Sequence, residues 1–193
     1  MENPKKEIPE NIKNMLESLS YDVSFLHGKW DFYLGLFADI KNLNLFSKVA
    51  PWSFLFIEDS LQKDLTMAIA RLCDKPISYN EKNLSLATLV IKCPNIPGVN
   101  SKYKEFKDAC KTVINARNKK LSHNDLETAL NPKENPLLQI SKTQVKQILK
   151  LANDILNMVS YYHKLGSYDS HLIGVQDAEF LISVLKAGIE KLS

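Results

Sequence analysis

The sequence predicts an all-α protein, a packed bundle of about six or seven helices. Three observations carry this. Apolar residues recur at i, i+3, i+4 spacing along most of the chain, the period of a helix with one buried face. Only six glycines stand among the 193 residues. No run of useful length alternates apolar and polar residues, as a half-buried strand would. There is no internal repeat and no low-complexity tract. A chain of this length is expected to form one helical domain over 1–193, with its core at about 10–165 and a C-terminal helix at about 176–192. It is long enough to bury a core without staples.

Each element follows in order. Ile12, Met15, Leu16, Leu19, Val23 and Leu26 form the first stripe. Gly28 is the expected stop, and His27 beside it reads as a helix C-terminal residue. Trp30, Tyr33, Leu34, Phe37 and Ile40 restart the pattern, with core-like rather than base-stacking spacing. Pro51 can open the next helix, whose stripe is Phe54, Ile57, Leu61, Leu65, Ala68 and Leu72. That helix should end before DKPISYNEKN. A short helix is expected from Leu84 to Ile91, and CPNIPGVNS breaks the chain after it. The next helix turns Phe106, Cys110, Val113, Ile114 and Leu121 to one side, and NPKENP is a loop. Ser141 can cap a helix with Val145, Ile148, Leu149, Ala152, Ile155, Leu156, Val159 and Tyr162 in register. KLGSYDSHLIGV reads as irregular, and a last helix should run from about Gln176 to Leu192.

Composition narrows the class. Hydrophobic content of 45% with 24% charged residues is that of a globular chain rather than a disordered one. The start, MENPKKEIPENIK, is polar, so no secretory signal is expected. The longest apolar runs, such as Phe54 to Ile57, are far too short to span a bilayer. Cys73, Cys93 and Cys110 are odd in number and contain no C-x-x-C pair, which points to neither a disulfide framework nor a zinc knuckle. A reducing cytoplasm fits best, with Cys73 and Cys110 as small core hydrophobes. No Gly-rich phosphate loop and no G-x-S-x-G elbow is present, and no cofactor is expected. His123 and Asp125 with His163 or His171 do not make a metal-ligand spacing of a known kind.

Charge is unevenly placed. Between Ser101 and His123 stand six lysines and Arg117 against Glu105 and Asp108, a surplus of five in a chain whose net charge is only +3. This surplus reads either as a solvated lysine face or as a local field for a polyanion. Of the 25 basic residues only Arg71 and Arg117 are arginine. An arginine kept in such a chain draws attention to what lysine cannot copy, a planar fork of donors.

Arg117 lies in the segment ARNKKLSHND. Counting from Phe106 through Cys110 and Val113 by fours and threes arrives at Arg117, so it falls on the inward stripe. A guanidinium there is costly unless it is paired or lines a pocket. His123, six residues on, would be about 120° away around a straight helix. The two can share a face only if the helix ends or bends near Leu121 or Ser122, or if a second subunit supplies its copy. The residues alone leave two readings open. Arg117 and His123 form a site, or Arg117 is a structural partner of a carboxylate while His123 bonds backbone at a helix end. Arg71 and Asp74, at i, i+3, most simply form an ion pair; alternatively they buttress the Arg117 site. Asp125 either orients the His123 ring or makes a local turn. Lys111, Lys119 and Lys120 would rim the site and strengthen its local field for a polyanion.

R-N-K-K-L-S-H resembles the R-x(4–6)-H signature of the HEPN superfamily, with Asn118 at the polar position that often follows the arginine. IARLCDKP, then NLSLATL, then INARNKKLSHND look like the abortive-infection (Abi) U-type branch. The resemblance covers roughly residues 10 to 165. It implies a compact helical bundle and metal-independent RNA cleavage in phage defence or a toxin–antitoxin system. Arg117, Asn118 and His123 would be the catalytic residues, at a symmetric homodimer interface. It also implies RNA as substrate and an antitoxin or defence-system partner. The rival class is a non-catalytic helical binding or scaffold protein that uses the same fold.

Overall fold

The computed structural model describes residues 8–122, 141–168 and 175–192. The chain forms an all-α fold, as its sequence predicts. Eight α-helices occur among the described residues: α1 (Glu10–Phe37), α2 (Ile40–Val49), α3 (Pro51–Leu72), α4 (Leu86–Lys92), α5 (Val99–Ala109), α6 (Lys111–Ala116), α7 (Lys142–Tyr162) and α8 (Val175–Leu192). A π-helical turn, Arg117–Ser122, follows α6 directly. Two compact units are distinguished, one made of Met1–Val23 and Thr66–Asp169, the other of Ser24–Leu65 and Ser170–Ser193.

In the first unit, most of the predicted stripe positions are buried, while Tyr162 at the end of α7 is exposed. Leu16, Leu19, Ile69, Leu86, Leu89, Phe106, Ile148, Leu149, Ile155 and Leu156 are all among the unit's fully buried side chains. α5 lies along α7 and against α4. Local signals place the helix ends. Ser85 caps α4 by accepting from the Thr88 N–H at 3.3 Å, and Ser141 caps α7 by accepting from the Gln144 N–H at 3.1 Å. Gly98 precedes α5 with φ +77°, a conformation that disfavours any residue with a Cβ. After α7 the irregular stretch folds back on the helix. Asn157 Oδ1 accepts from the Tyr168 N–H at 2.7 Å, and the Ser160 hydroxyl donates to the Gly166 carbonyl.

The second unit is built around an aromatic cluster. Leu36, Phe37, Phe46, Phe54, Ala178 and Ile182 form its buried centre, with Tyr33 packed against it. Phe46 and Phe54 stack with centroids 3.7 Å apart, and Trp30, Tyr33 and Phe37 form a ladder at 5.5 Å steps. Here α1 and α8 approach so closely that a Cβ on Gly35 would lie 2.7 Å from the Cβ of Ala178. Alanine normally stabilises a helix interior relative to glycine. At this position the overpacking dominates, so Gly35→Ala is expected to destabilise the protein by about 1–3 kcal/mol, read as a lowered midpoint in thermal or urea unfolding. An unchanged or raised midpoint would contradict the close approach.

The structure departs from the sequence reading at several points: Ile40 opens a separate helix, α2, capped by Asp39, and Ile40 and Ile57 are exposed. α1 runs through Gly28 without stopping, so His27 is a mid-helix residue. The burial of Val23, Leu26 and Trp30 along one face outweighs the roughly 1 kcal/mol that a glycine costs a helix. The expected helix through Phe106 is divided at Cys110 into α5 and α6, and Gln144 Nε2 donates to the Ala109 carbonyl at 3.0 Å at that break. Lastly, ISYNEK forms a small antiparallel hairpin, with Ile77 opposite Lys82 and Ser78 opposite Glu81. Its two turn residues, Tyr79 and Asn80, both have positive φ, the signature of a type I′ turn. The strands are two residues long, too short to show alternation.

Candidate active site

The predicted stripe leads directly to Arg117. Phe106, Cys110 and Val113 are completely buried. Arg117, next in that register, keeps 27% of its side chain exposed. The side chain is thus mostly covered, in keeping with its place on the inward stripe. The end of the stripe lets the long side chain lie along apolar surface while its head reaches polar surroundings.

The partner of that head is Asp74. Arg117 Nη2 donates to Asp74 Oδ1 at 3.3 Å, joining the segment after α3 to the end of α6. Both side chains are about a third exposed, so solvent screening holds the pair to roughly 0–1 kcal/mol of stability. Its structural consequence is orientation. A guanidinium carries five N–H donors in a fixed plane, and Asp74 engages one edge of that plane. The Nε is buried and finds no hydrogen-bond partner among the described residues. The arginine is therefore oriented by Asp74 while about a quarter of its side chain stays open to solvent.

The backbone is unusual at the same point. Arg117 ends α6 with helical angles, φ −57° and ψ −50°, and the chain then takes π-helical geometry through Ser122. The i→i+5 pattern is rare and occurs mostly as single turns, frequently at functional sites. Asn118 and Lys119 lie on this turn and are exposed.

Arg71 does not pair with Asp74. It is exposed, and its charge acts on Asp22 of α1. Burial raises the Asp22 carboxyl above its ordinary value, and the Arg71 charge partly lowers it again. Of the two readings of Arg71 and Asp74, the direct i, i+3 pair is replaced by a long-range pair between Asp74 and Arg117, forty-three residues apart. An i, i+3 spacing allows a contact but does not compel one, and Asp74 stands beyond the last residue of α3. Lys111 bonds Asp108 at 2.9 Å on the surface, and this bond lowers the Asp108 carboxyl below its usual range. His123, Asp125 and the side chain of Lys120 lie outside the described residues, as does His171.

Sequence reasoning missed a cluster beside this site. The Cys110 thiol is pushed far above its ordinary range, first by a hydrogen bond with Cys73 and then by burial. Tyr103 is raised by burial and by the same two sulfurs. Cys73 immediately precedes Asp74, so this contact anchors the segment that presents the carboxylate to Arg117. The burial of Cys110 was legible from its stripe; its pairing with Cys73 was not. Among the described residues, no group of three or more metal-binding side chains gathers, and no helix is long and apolar enough to cross a membrane.

Neither a curated protein nor a solved structure matches the chain. The HEPN_AbiU2 family (AbiU2) matches residues 9–180, a span that takes in Arg71, Asp74, Arg117, Asn118, His123 and Asp125. With nearly the whole chain covered and an all-α structure to carry it, this protein belongs to the AbiU2 family of HEPN-type abortive-infection proteins.

Proposed function

We propose that the protein is a metal-independent endoribonuclease acting in phage defence or a toxin–antitoxin system, with Arg117 and His123 at its centre. The observation that supports this most is the state of Arg117. It stands at the end of a buried stripe, fastened on one side by Asp74, with about a quarter of its side chain still exposed. In this reading the guanidinium grips the scissile phosphate and stabilises the charge that develops on it. The RNA 2′-hydroxyl attacks its own phosphorus, and the bond to the 5′-oxygen breaks. The products are a 2′,3′-cyclic phosphate and a 5′-hydroxyl. His123 takes the proton from the nucleophile or returns one to the leaving oxygen, and either role suits an imidazole near neutral pH. Two copies facing each other across a homodimer axis supply both protonation states. Asn118 and Lys119 are exposed on the π turn, where they can reach the phosphate backbone. An antitoxin or defence-system partner would cover this face in the resting state.

Cleavage of RNA by purified protein in excess EDTA, with analysis of the fragment ends, tests the reading. Intact activity and cyclic phosphate ends are expected. Activity that disappears with chelation would overturn it.

Asp74 is the positioning residue in this scheme. Asp74→Asn keeps the shape of the side chain and removes the charge that orients Arg117. Cleavage is expected to fall about tenfold to a hundredfold, the scale of a misplaced catalytic group. Stability should move by no more than about 1 kcal/mol, and Asp74→Glu should restore part of the activity. Full activity in Asp74→Asn would leave the pair as a structural clip. A second reading rests on that same pair: the Asp74–Arg117 bond fastens two segments of a non-catalytic binding or scaffold protein. Loss of stability without any cleavage to lose would favour it.

A further inference from the structure

We infer that the second unit carries a separate contact for the phosphate backbone of single-stranded RNA, in the cleft between α2 and α8. The inference rests on the RNA reading above, but it concerns different residues. The cleft has a volume of about 290 Å³. Lys41 and Lys48 border it from α2, and Lys186 from α8.

Charge segregation is the first argument. The second unit carries eight carboxylates and six lysines, so it is acidic as a whole. Lys29 and Lys63 are paired with Asp64 and Asp59. Lys191, and the trio Lys41, Lys48 and Lys186, have no ion pair among the described residues. The trio converges on one cleft, in which Glu190 is the sole acidic lining residue. Glu190 follows Lys186 by four positions, the less favourable order for an ion pair within a helix, and the two do not pair. The cleft is thus a basic spot on an acidic unit, which focuses a field on an anion.

Spacing and lining indicate which anion. Lys41 and Lys48 lie seven residues apart on one face of α2, about 10 Å along the helix axis. That span exceeds one phosphate group and suits a chain of them. Leu45 and Ile189 form an aliphatic floor and Asn44 adds one amide, while no aromatic ring lines the cleft. A base therefore finds no stacking platform, and recognition is by backbone charge rather than by sequence.

The test is fluorescence anisotropy of a labelled oligouridylate of about twelve nucleotides, measured across roughly 50–200 mM salt. The full chain carrying Arg117→Ala, which blocks cleavage in the proposed mechanism, serves as host. Adding Lys41→Gln, Lys48→Gln and Lys186→Gln together should weaken binding about tenfold. It should also reduce the slope of log affinity against log salt by about two, because each phosphate contact on a single strand contributes about 0.7. Lys63→Gln, already paired to Asp59, should change neither. The three lysines are exposed, and unchanged circular dichroism verifies folding. Two competitors separate the sources of phosphate. RNA should displace a labelled probe from the cleft better than inorganic tripolyphosphate, and vesicles of anionic phospholipid should not bind through these lysines. An unchanged oligouridylate affinity in the triple variant, or lysine-dependent binding of tripolyphosphate or vesicles alone, would overturn the inference. Cleavage in EDTA is scored separately. Cleavage with no effect of the triple variant removes the cleft alone, and lysine-dependent RNA binding without cleavage removes the nuclease reading alone.

Discussion

His123→Ala is expected to lower RNA cleavage about a hundredfold or more, the usual scale for losing a general acid–base group. The measurement is the single-turnover rate on a defined RNA in EDTA, with product ends resolved by their susceptibility to phosphatase. Arg117→Lys should be strongly impaired as well. It retains a positive charge, but a lysine cannot present the two parallel donors that hold a phosphate, nor keep one edge on Asp74 while offering another to substrate. Combined, the two substitutions should cost far less than the sum of their separate effects, because residues acting on one transition state are not additive. If His123→Ala cleaves at the wild-type rate, the histidine has no part in proton transfer and the proposed chemistry fails.

Phe106→Ala is expected to destabilise the protein by about 3–5 kcal/mol, the range for removing a large aromatic side chain from a core. Phe106 is completely buried, and α5, on which it stands, packs along α7. Arg117 stands on the same stripe, yet Arg117→Ala should cost only about 1 kcal/mol, since its pair with Asp74 is partly solvated. The two variants therefore separate packing from chemistry along one face. Urea unfolding followed by circular dichroism should show a large drop in midpoint for the first and a small one for the second, with cleavage lost in the second. A midpoint for Arg117→Ala as low as that of Phe106→Ala would make the arginine a core element and weaken its assignment to the site.

How far the site was legible depends on the kind of interaction. That Arg117 falls in register with Phe106, Cys110 and Val113 follows from the helical period, and the burial of those three residues agrees with it. The R-N-K-K-L-S-H spacing, taken with IARLCDKP and NLSLATL before it, pointed to the family that matches residues 9–180. The partner of Arg117 was not legible in the same way. Asp74 is one of 22 acidic residues, and its nearest arginine in sequence is Arg71, three positions away. The geometry at the end of α3 turns Asp74 to Arg117 and leaves Arg71 to act on Asp22.

Legible in the sequence were the all-α class, most of the buried helix faces, the cap at Ser141 and the family resemblance. These are properties of local period and local hydrogen bonding, repeated over many residues, so an error at one position does not change the result. Tertiary structure alone decided that α1 continues through Gly28, that the helix breaks at Cys110, and that Cys73 meets Cys110. It also decided that three lysines from α2 and α8, without an ion pair among the described residues, border one cleft. Each of these is settled by what lies across from a residue in space: burial that outweighs a weak glycine propensity, a glutamine side chain that takes a freed carbonyl, or two helices that bring distant charges together. Such partners are tens of residues away along the chain, and the energies involved, of order 1 kcal/mol each, are comparable to the local preferences they override.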